Sequence, residues 1–187
     1  MVKNVSDKKE NPMREIMIEK VTLNVGVGEA GDKLEKARLL LGRTSGTKVV
    51  TTHAKKRIPS WNLRAGLAIG VKTTLRGENA IKLLRKLFKA VDNTINPKQF
   101  DNEGNLSFGI DEYIHIPNVK YDPSLGIIGL DVCVTLKRKG GFRTKRKAYR
   151  NAKIGKNHRI TKEEAIEFFK KNFGVFIGEK KKSNYYY

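Results

Sequence analysis

The sequence predicts an α+β domain in which a mostly antiparallel sheet carries helices on one face. Three observations carry that reading. Residues 16–27 and 126–136 alternate apolar and polar side chains with period two, as half-buried strands do. Residues 78–91 repeat with a helical period: Ala80, Ile81, Leu84, Leu87, Phe88 and Val91 share one face, and Lys82, Arg85, Lys86 and Lys89 share the other. Thr161, with Glu164 three residues on, forms a capping box ahead of a second amphipathic run.

The elements follow in order. Residues 1–12 are polar and close on Asn11-Pro12, so they read as a flexible lead-in. In the first strand, Ile16 and Ile18 are followed by Val21, Leu23, Val25 and Val27, a phase change near Glu19-Lys20 that predicts a bulge. Asp32 is placed to cap a helix with Glu35 three residues on; Leu34, Ala37, Leu40 and Leu41 are its stripe and Gly42 its stop. Residues 48–52 form a short β-branched strand, residues 53–67 a long loop and residues 68–75 a returning strand. Residues 106–110 and 113–116 are short strands or turns, punctuated by Pro117 and Pro123. Residues 126–136 are a long strand with Ile128, Leu130, Val132, Val134 and Leu136 on one side. The last helix carries Ala165, Ile166, Phe169 and Phe173, and stops at Gly174. One domain over residues 13–175, followed by a tail over 176–187, is the expected organisation.

Charge narrows the function. The 187 residues hold 39 Lys plus Arg against 19 Asp plus Glu, a formal charge of +20, yet 39% are hydrophobic. The chain can therefore build a core, but it repels itself unless a polyanion neutralises it. No apolar run is long enough to span a bilayer, and the first residues lack an apolar signal core, so nucleic acid is preferred over membrane as the partner. Cys133 stands alone in an apolar run; it fits a reducing compartment and reads as a small core residue.

The charge is also uneven. Residues 137–160 hold eleven Lys or Arg and no carboxylate. Such an arm lies against solvent, as a linker, or against RNA. Residues 36–77 hold ten Lys or Arg and no carboxylate, whereas over residues 101–136 six acids face only Lys120. This asymmetry implies an RNA-facing side and a second side suited to a basic partner. Within the 53–67 loop, Lys55, Lys56, Arg57 and Arg64 flank Ile58, Pro59, Trp61 and Leu63. Trp61 either stacks on bases while the cations hold phosphates, or folds back into the core.

Other motifs fail. Gly26, Gly28 and Gly31 have the spacing of a dinucleotide turn, but no acid follows about 20 residues on. Glu29 and Asp32 would repel a pyrophosphate. His53, His115 and His158 are scattered, so no metal is expected, and no cofactor. Asp111-Glu112 is a pair by adjacency only, and no nucleophile elbow occurs, so no enzyme is expected.

The stretches EKVTLNVGVGEA (residues 19–30), SGTKVVTTHAKKRI (45–58), IGVKTTLRGENA (69–80), NLSFGIDEYIHIPNVKYD (105–122), GLDVCVTL (129–136) and RITKEEAIEFF (159–169) resemble the ribosomal protein L-five family of the large subunit. The resemblance covers residues 13–175. The basic arm replaces the short acidic ending of the bacterial branch, and the long N-terminal helix of that branch has no counterpart, so the chain is similar to the archaeal form.

The resemblance implies a cytoplasmic, ribosome-bound structural protein that fastens 5S ribosomal RNA in the central protuberance. By matching position, Asn24, Thr47 and Thr74 belong to the 5S contact surface, although the bacterial branch carries Gln where Thr47 stands. If Asn24 shares a face with Lys20 and Thr22, and Thr74 with Lys72 and Arg76, that face is open and basic. The loop of Lys56, Arg57, Ile58, Pro59, Ser60, Trp61, Asn62, Leu63 and Arg64 matches the segment that approaches P-site transfer RNA. The arm, through Arg138, Arg143, Lys145, Arg146, Lys147, Arg150 and Lys153, adds contacts to 23S ribosomal RNA. Other proteins of the central protuberance would be neighbours, and the acidic side matches a face toward a basic head protein of the small subunit. A stand-alone RNA chaperone or regulatory RNA-binding module is the alternative, and a nucleotide-dependent enzyme a weaker third.

Overall fold

A computed structural model describes residues 11–117, 119, 121–140, 149–150 and 152–178. Strand β1 (Ile16–Gly26) is the middle of a five-stranded sheet, with β3 (Ala68–Leu75) on one side and β6 (Leu130–Arg138) on the other. Strands β2 (Val50–His53) and β5 (Leu106–Ile110) form the edges, and every pairing is antiparallel. The expected bulge is present: the β1–β6 register shifts between Ile18 and Lys20. Three helices occur among the described residues: α1 (Asp32–Ser45), α2 (Gly77–Ala90) and α3 (Lys162–Phe173).

All three helices cover the same face of the sheet. Val21, Leu23, Val25, Val71, Leu75, Val132, Val134, Leu136, Leu106, Phe108 and Ile110 point into one core with Leu34, Ala37, Leu40 and Leu41 of α1, Leu84, Leu87 and Phe88 of α2, and Ala165 and Phe169 of α3. Phe88 is the hub: its ring lies 5.6 Å from Phe108, 5.9 Å from Phe169 and 5.4 Å from Phe173. Aromatic packing thus joins two helices to an edge strand.

Several expectations are corrected in detail. Asp32 is not the cap of α1; Gly31 is, without a side-chain cap, and Asp32 lies inside the first turn. There its carboxylate still favours the positive end of the helix dipole. Gly42 does not end α1, which runs three residues further to Ser45 and stops at Gly46, a left-handed residue with φ 63°. Ile81 is exposed and Leu83 buried, so the inward stripe of α2 is turned slightly from the one expected. Of the two readings left open for each segment, residues 106–110 are a strand and residues 113–115 a 3-10 turn. Strand β6 continues through Lys137 and Arg138, two residues into the expected arm. The capping box of α3 is complete, with Thr161 Oγ1 accepting from the Glu164 amide and the Glu164 carboxylate accepting from the Thr161 amide. Beyond Val175, Phe176 and Ile177 form β7 and pair in parallel with β4 (Thr94–Ile95), so the fold extends past the expected boundary at 175.

Candidate nucleic-acid interface

The face of the sheet that carries no helix is built by strand alternation. Antiparallel partners share a face, so the register writes out its rows. One row crosses four strands as Val50, Lys72, Asn24 and Asp131, with Gly109 of β5 at its end. The next row is Thr74, Thr22, Cys133 and Ser107, and Lys20 opposite Thr135 begins a third. Asn24, Thr74, Lys20 and Lys72 therefore lie together on the open face, as the sequence allowed but did not decide. Arg76 extends that edge; its Nη1 lies 3.4 Å from the Glu19 carbonyl oxygen and 3.6 Å from its carboxylate.

Thr47 is placed elsewhere. It lies in the turn between α1 and β2, and its hydroxyl is 2.8 Å from that of Thr73, which is buried on the helix side. Sequence reasoning missed Ser107, Asp131 and Thr135 as members of the open face, because only register brings β5 and β6 alongside β1. Cys133 is corrected: it is exposed on this face, not in the core. Partial burial and then the nearby Asp131 carboxylate push its thiol pKa up, so it is a poor nucleophile.

The loop between β2 and β3 is ordered by its own backbone. Ile58 and Leu63 exchange amide hydrogen bonds of 2.9 and 3.1 Å, closing a tight tip around the 3-10 turn Pro59–Trp61. Leu63 and Ala54 are buried and anchor the base. Trp61 is 70% exposed, so it does not fold back into the core. Lys55, Lys56, Arg57, Pro59, Ser60, Asn62 and Arg64 are exposed around it, and Ile58 is half-buried. A projecting ring with cations at its base can stack on a nucleobase while phosphates are held.

The arm divides. Arg143, Lys145, Arg146 and Lys147 lie outside the described residues. Arg150 and Lys153 are exposed, and the Arg150 guanidinium sits 5.2 Å from the centre of the Tyr149 ring. Arg138 is corrected. It is only 5% exposed, donates to Glu164 Oε2 at 2.6 Å and to the Arg14 carbonyl at 3.0 Å, and so faces the protein interior. Strand alternation explains this, because Arg138 follows Val134 and Leu136 onto the buried side. The pair holds the entry and exit of the arm together: Lys139 pairs with Glu15, Arg159 with Glu103, and Arg138 also reaches the Arg159 carbonyl at 3.4 Å. Burial raises the Glu164 pKa, but the Thr161 amide and the Arg138 guanidinium outweigh it and hold the carboxyl below the usual range.

The acidic stretch is largely engaged in structure. Asp101 accepts the amides of Glu103 and Asn105. Asp122 accepts from Ser124 and from Arg43, which bring its pKa down to about 2. Asp111 and Asp131 are exposed and Glu112 half-buried, and none of the three has an ion pair among the described residues. The glycine turn is also occupied, since the amides of Val27 and Gly28 both donate to the Ile69 carbonyl and not toward a phosphate site. No cluster suited to a metal ion occurs among the described residues, and no helix among them is long and apolar enough to cross a membrane.

Comparison with known proteins agrees with this architecture. Residues 11–64 match the family model described as Ribosomal protein L5, and residues 68–168 match the model of the C-terminus of that same ribosomal family. A protein of Nanoarchaeum equitans called large ribosomal subunit protein uL5 is 53% identical over 169 residues, which is 90% of this chain and 99% of that relative. Proteins of the same name from Sulfolobus acidocaldarius and Sulfurisphaera tokodaii are 48% and 51% identical, over 92% and 90% of this chain and 96% of each relative.

Proposed function

Since the chain belongs to the ribosomal protein L5 family, of archaeal type, and is a non-enzymatic structural constituent of the large ribosomal subunit, we propose that its open sheet face binds 5S ribosomal RNA and that its β2–β3 loop contacts P-site transfer RNA. The observation that carries the first half is the register that sets Lys72 beside Asn24 and Thr74 beside Thr22 on a helix-free surface. Short hydroxyl and amide side chains on a twisted sheet reach ribose 2′-hydroxyls and phosphates, and so recognise RNA by shape. Trp61 and its cationic flanks support the second half. The arm around Arg150 and Lys153 supplies further contacts to 23S ribosomal RNA, and Asp111 and Glu112 suit a basic protein of the small-subunit head.

Filter binding at moderate salt tests the first half. The protein is expected to retain 5S RNA in preference to transfer RNA. N24A/K72A/T74A is expected to lose roughly tenfold or more, at about 1 kcal/mol per hydrogen bond removed. Equal retention of all RNAs, or no loss in the triple variant, would contradict this reading and favour a general RNA chaperone.

A further inference from the structure

Helix α2 shows the solvent a cationic stripe that no carboxylate among the described residues pairs with. Lys82, Arg85, Lys86 and Lys89 are all exposed, while Ala80, Leu83, Leu84, Leu87 and Phe88 of the same helix are buried against the sheet. At 100° per residue the four cations fall within an arc of about 100° and run about 10 Å along the axis. Glu78 is the helix's only carboxylate; it stands four residues before Lys82, yet none of the four cations has an ion-pair partner among the described residues.

Helix α1 provides the contrast within the same molecule. Each of its four bases is paired: Lys33 with Glu29 at 2.7 Å, Lys36 with Asp32 at 3.0 Å, Arg38 with Glu35 at 3.6 Å and Arg43 with Asp122 at 2.7 Å. Like charges three and four residues apart repel along a helix. A stripe of this kind destabilises the free chain and is relieved only by an external polyanion.

The stripe lies on the helix side of the sheet, so the open face and α2 point away from one another. We propose that α2 is a second RNA-binding surface, which takes the phosphate backbone of a duplex RNA segment while the open face holds 5S RNA. The inference rests on the ribosomal reading above. The chemistry favours a duplex over the alternatives. Ile81, at 37% exposure, is the only apolar side chain of α2 at the surface, so the stripe has no ring for stacking on unpaired bases and no apolar centre for docking a protein. A straight row of point charges fits a backbone, which it positions without reading sequence. The whole protein then ties two RNA segments together across its sheet.

The test uses the full chain, first saturated with 5S RNA and then titrated with a fluorescent RNA duplex of about 16 base pairs and unrelated sequence. The wild type is expected to recruit the duplex. R85Q/K86Q/K89Q is expected to weaken recruitment at least about tenfold and to lower the log–log salt slope by about 2–3, with 5S affinity unchanged. K33Q/K36Q/R38Q removes the same charge from α1 and is expected to recruit as the wild type does; circular dichroism melting checks that both variants fold. Equal weakening in the two triple variants would reduce the effect to bulk charge and overturn the proposal, as would an unweakened R85Q/K86Q/K89Q. So would displacement of the duplex by a polyglutamate peptide at lower concentration, which would mark the stripe as a site for an acidic protein. Titrating the duplex onto the free chain separates the two readings: loss of 5S selectivity with duplex binding intact sinks the 5S assignment alone.

Discussion

At the scale of single residues, charge is divided between structure and surface, and burial tells which is which. Arg138 is the clearest case. Replacing it with Met leaves the Glu164 carboxylate beside an apolar chain and frees the Arg14 and Arg159 carbonyls. Removing one partner of a fully buried pair costs about 3–5 kcal/mol, and because Glu164 is half-exposed R138M should fall below that range, at about 2–3 kcal/mol by urea denaturation. A double-mutant cycle with E164Q should show coupling, because the two side chains share one bond network. Asp122 makes a separate prediction about acid. Its folded pKa of about 2 lies below its ordinary 3.8, so the ionised form stabilises the native state. That contribution is complete above about pH 4 and disappears as pH falls through 2. Melting temperature between pH 4 and 2 should therefore fall more steeply in the wild type than in D122N; parallel curves would disprove the assignment.

Among the elements, the packing of α3 and the residue before it against the approach to β5 leaves no room for a side chain at Gly104. Gly104 has φ 76°, and a Cβ there would lie 2.7 Å from Ile160 Cγ2 and 3.2 Å from the Ala165 methyl. G104A combines a disfavoured backbone with an overpacked contact, and should lower stability by about 2–4 kcal/mol in denaturant titration. The β2–β3 loop is expected to behave in the opposite way. Because Trp61 is 70% exposed, W61A should leave the melting temperature within a degree or so of wild type. It should still weaken the transfer-RNA contact by about 1–3 kcal/mol, the worth of one stacked base, in a footprint of P-site transfer RNA on reconstituted ribosomes. An unaltered footprint would remove Trp61 from the contact.

For the whole molecule, the formal charge of +20 gives stability two opposite dependences on salt. In the free protein salt screens self-repulsion, so the melting temperature should rise between about 0.05 and 0.5 M. In the complex with RNA, counterion release makes binding weaker as salt rises, so the added stability from RNA should shrink over the same range. Calorimetric scans with and without 5S RNA should converge at high salt. Two parallel series would show that the cations are compensated inside the fold.

The local elements were legible in the sequence because they rest on short-range chemistry. Alternation set β1 and β6, while β5 was left as a strand or a turn; a 3.6 period set α2; and a hydroxyl with a carboxylate three residues later set the start of α3. The charge asymmetry fixed the class of partner for the same reason, since unpaired cations cannot be buried. Side-chain destinations required the tertiary structure. Arg138 and Cys133 stand five residues apart in one strand, and alternation turns the first inward to Glu164 and the second outward beside Asp131. Acids three or four residues away pair three of the bases of α1, whereas α2 has only Glu78, so that contrast is local; Arg43 finds Asp122 only when distant segments meet. A one-residue slip in strand register exchanges the two faces of the sheet, and that register is decided by the packing of the whole core.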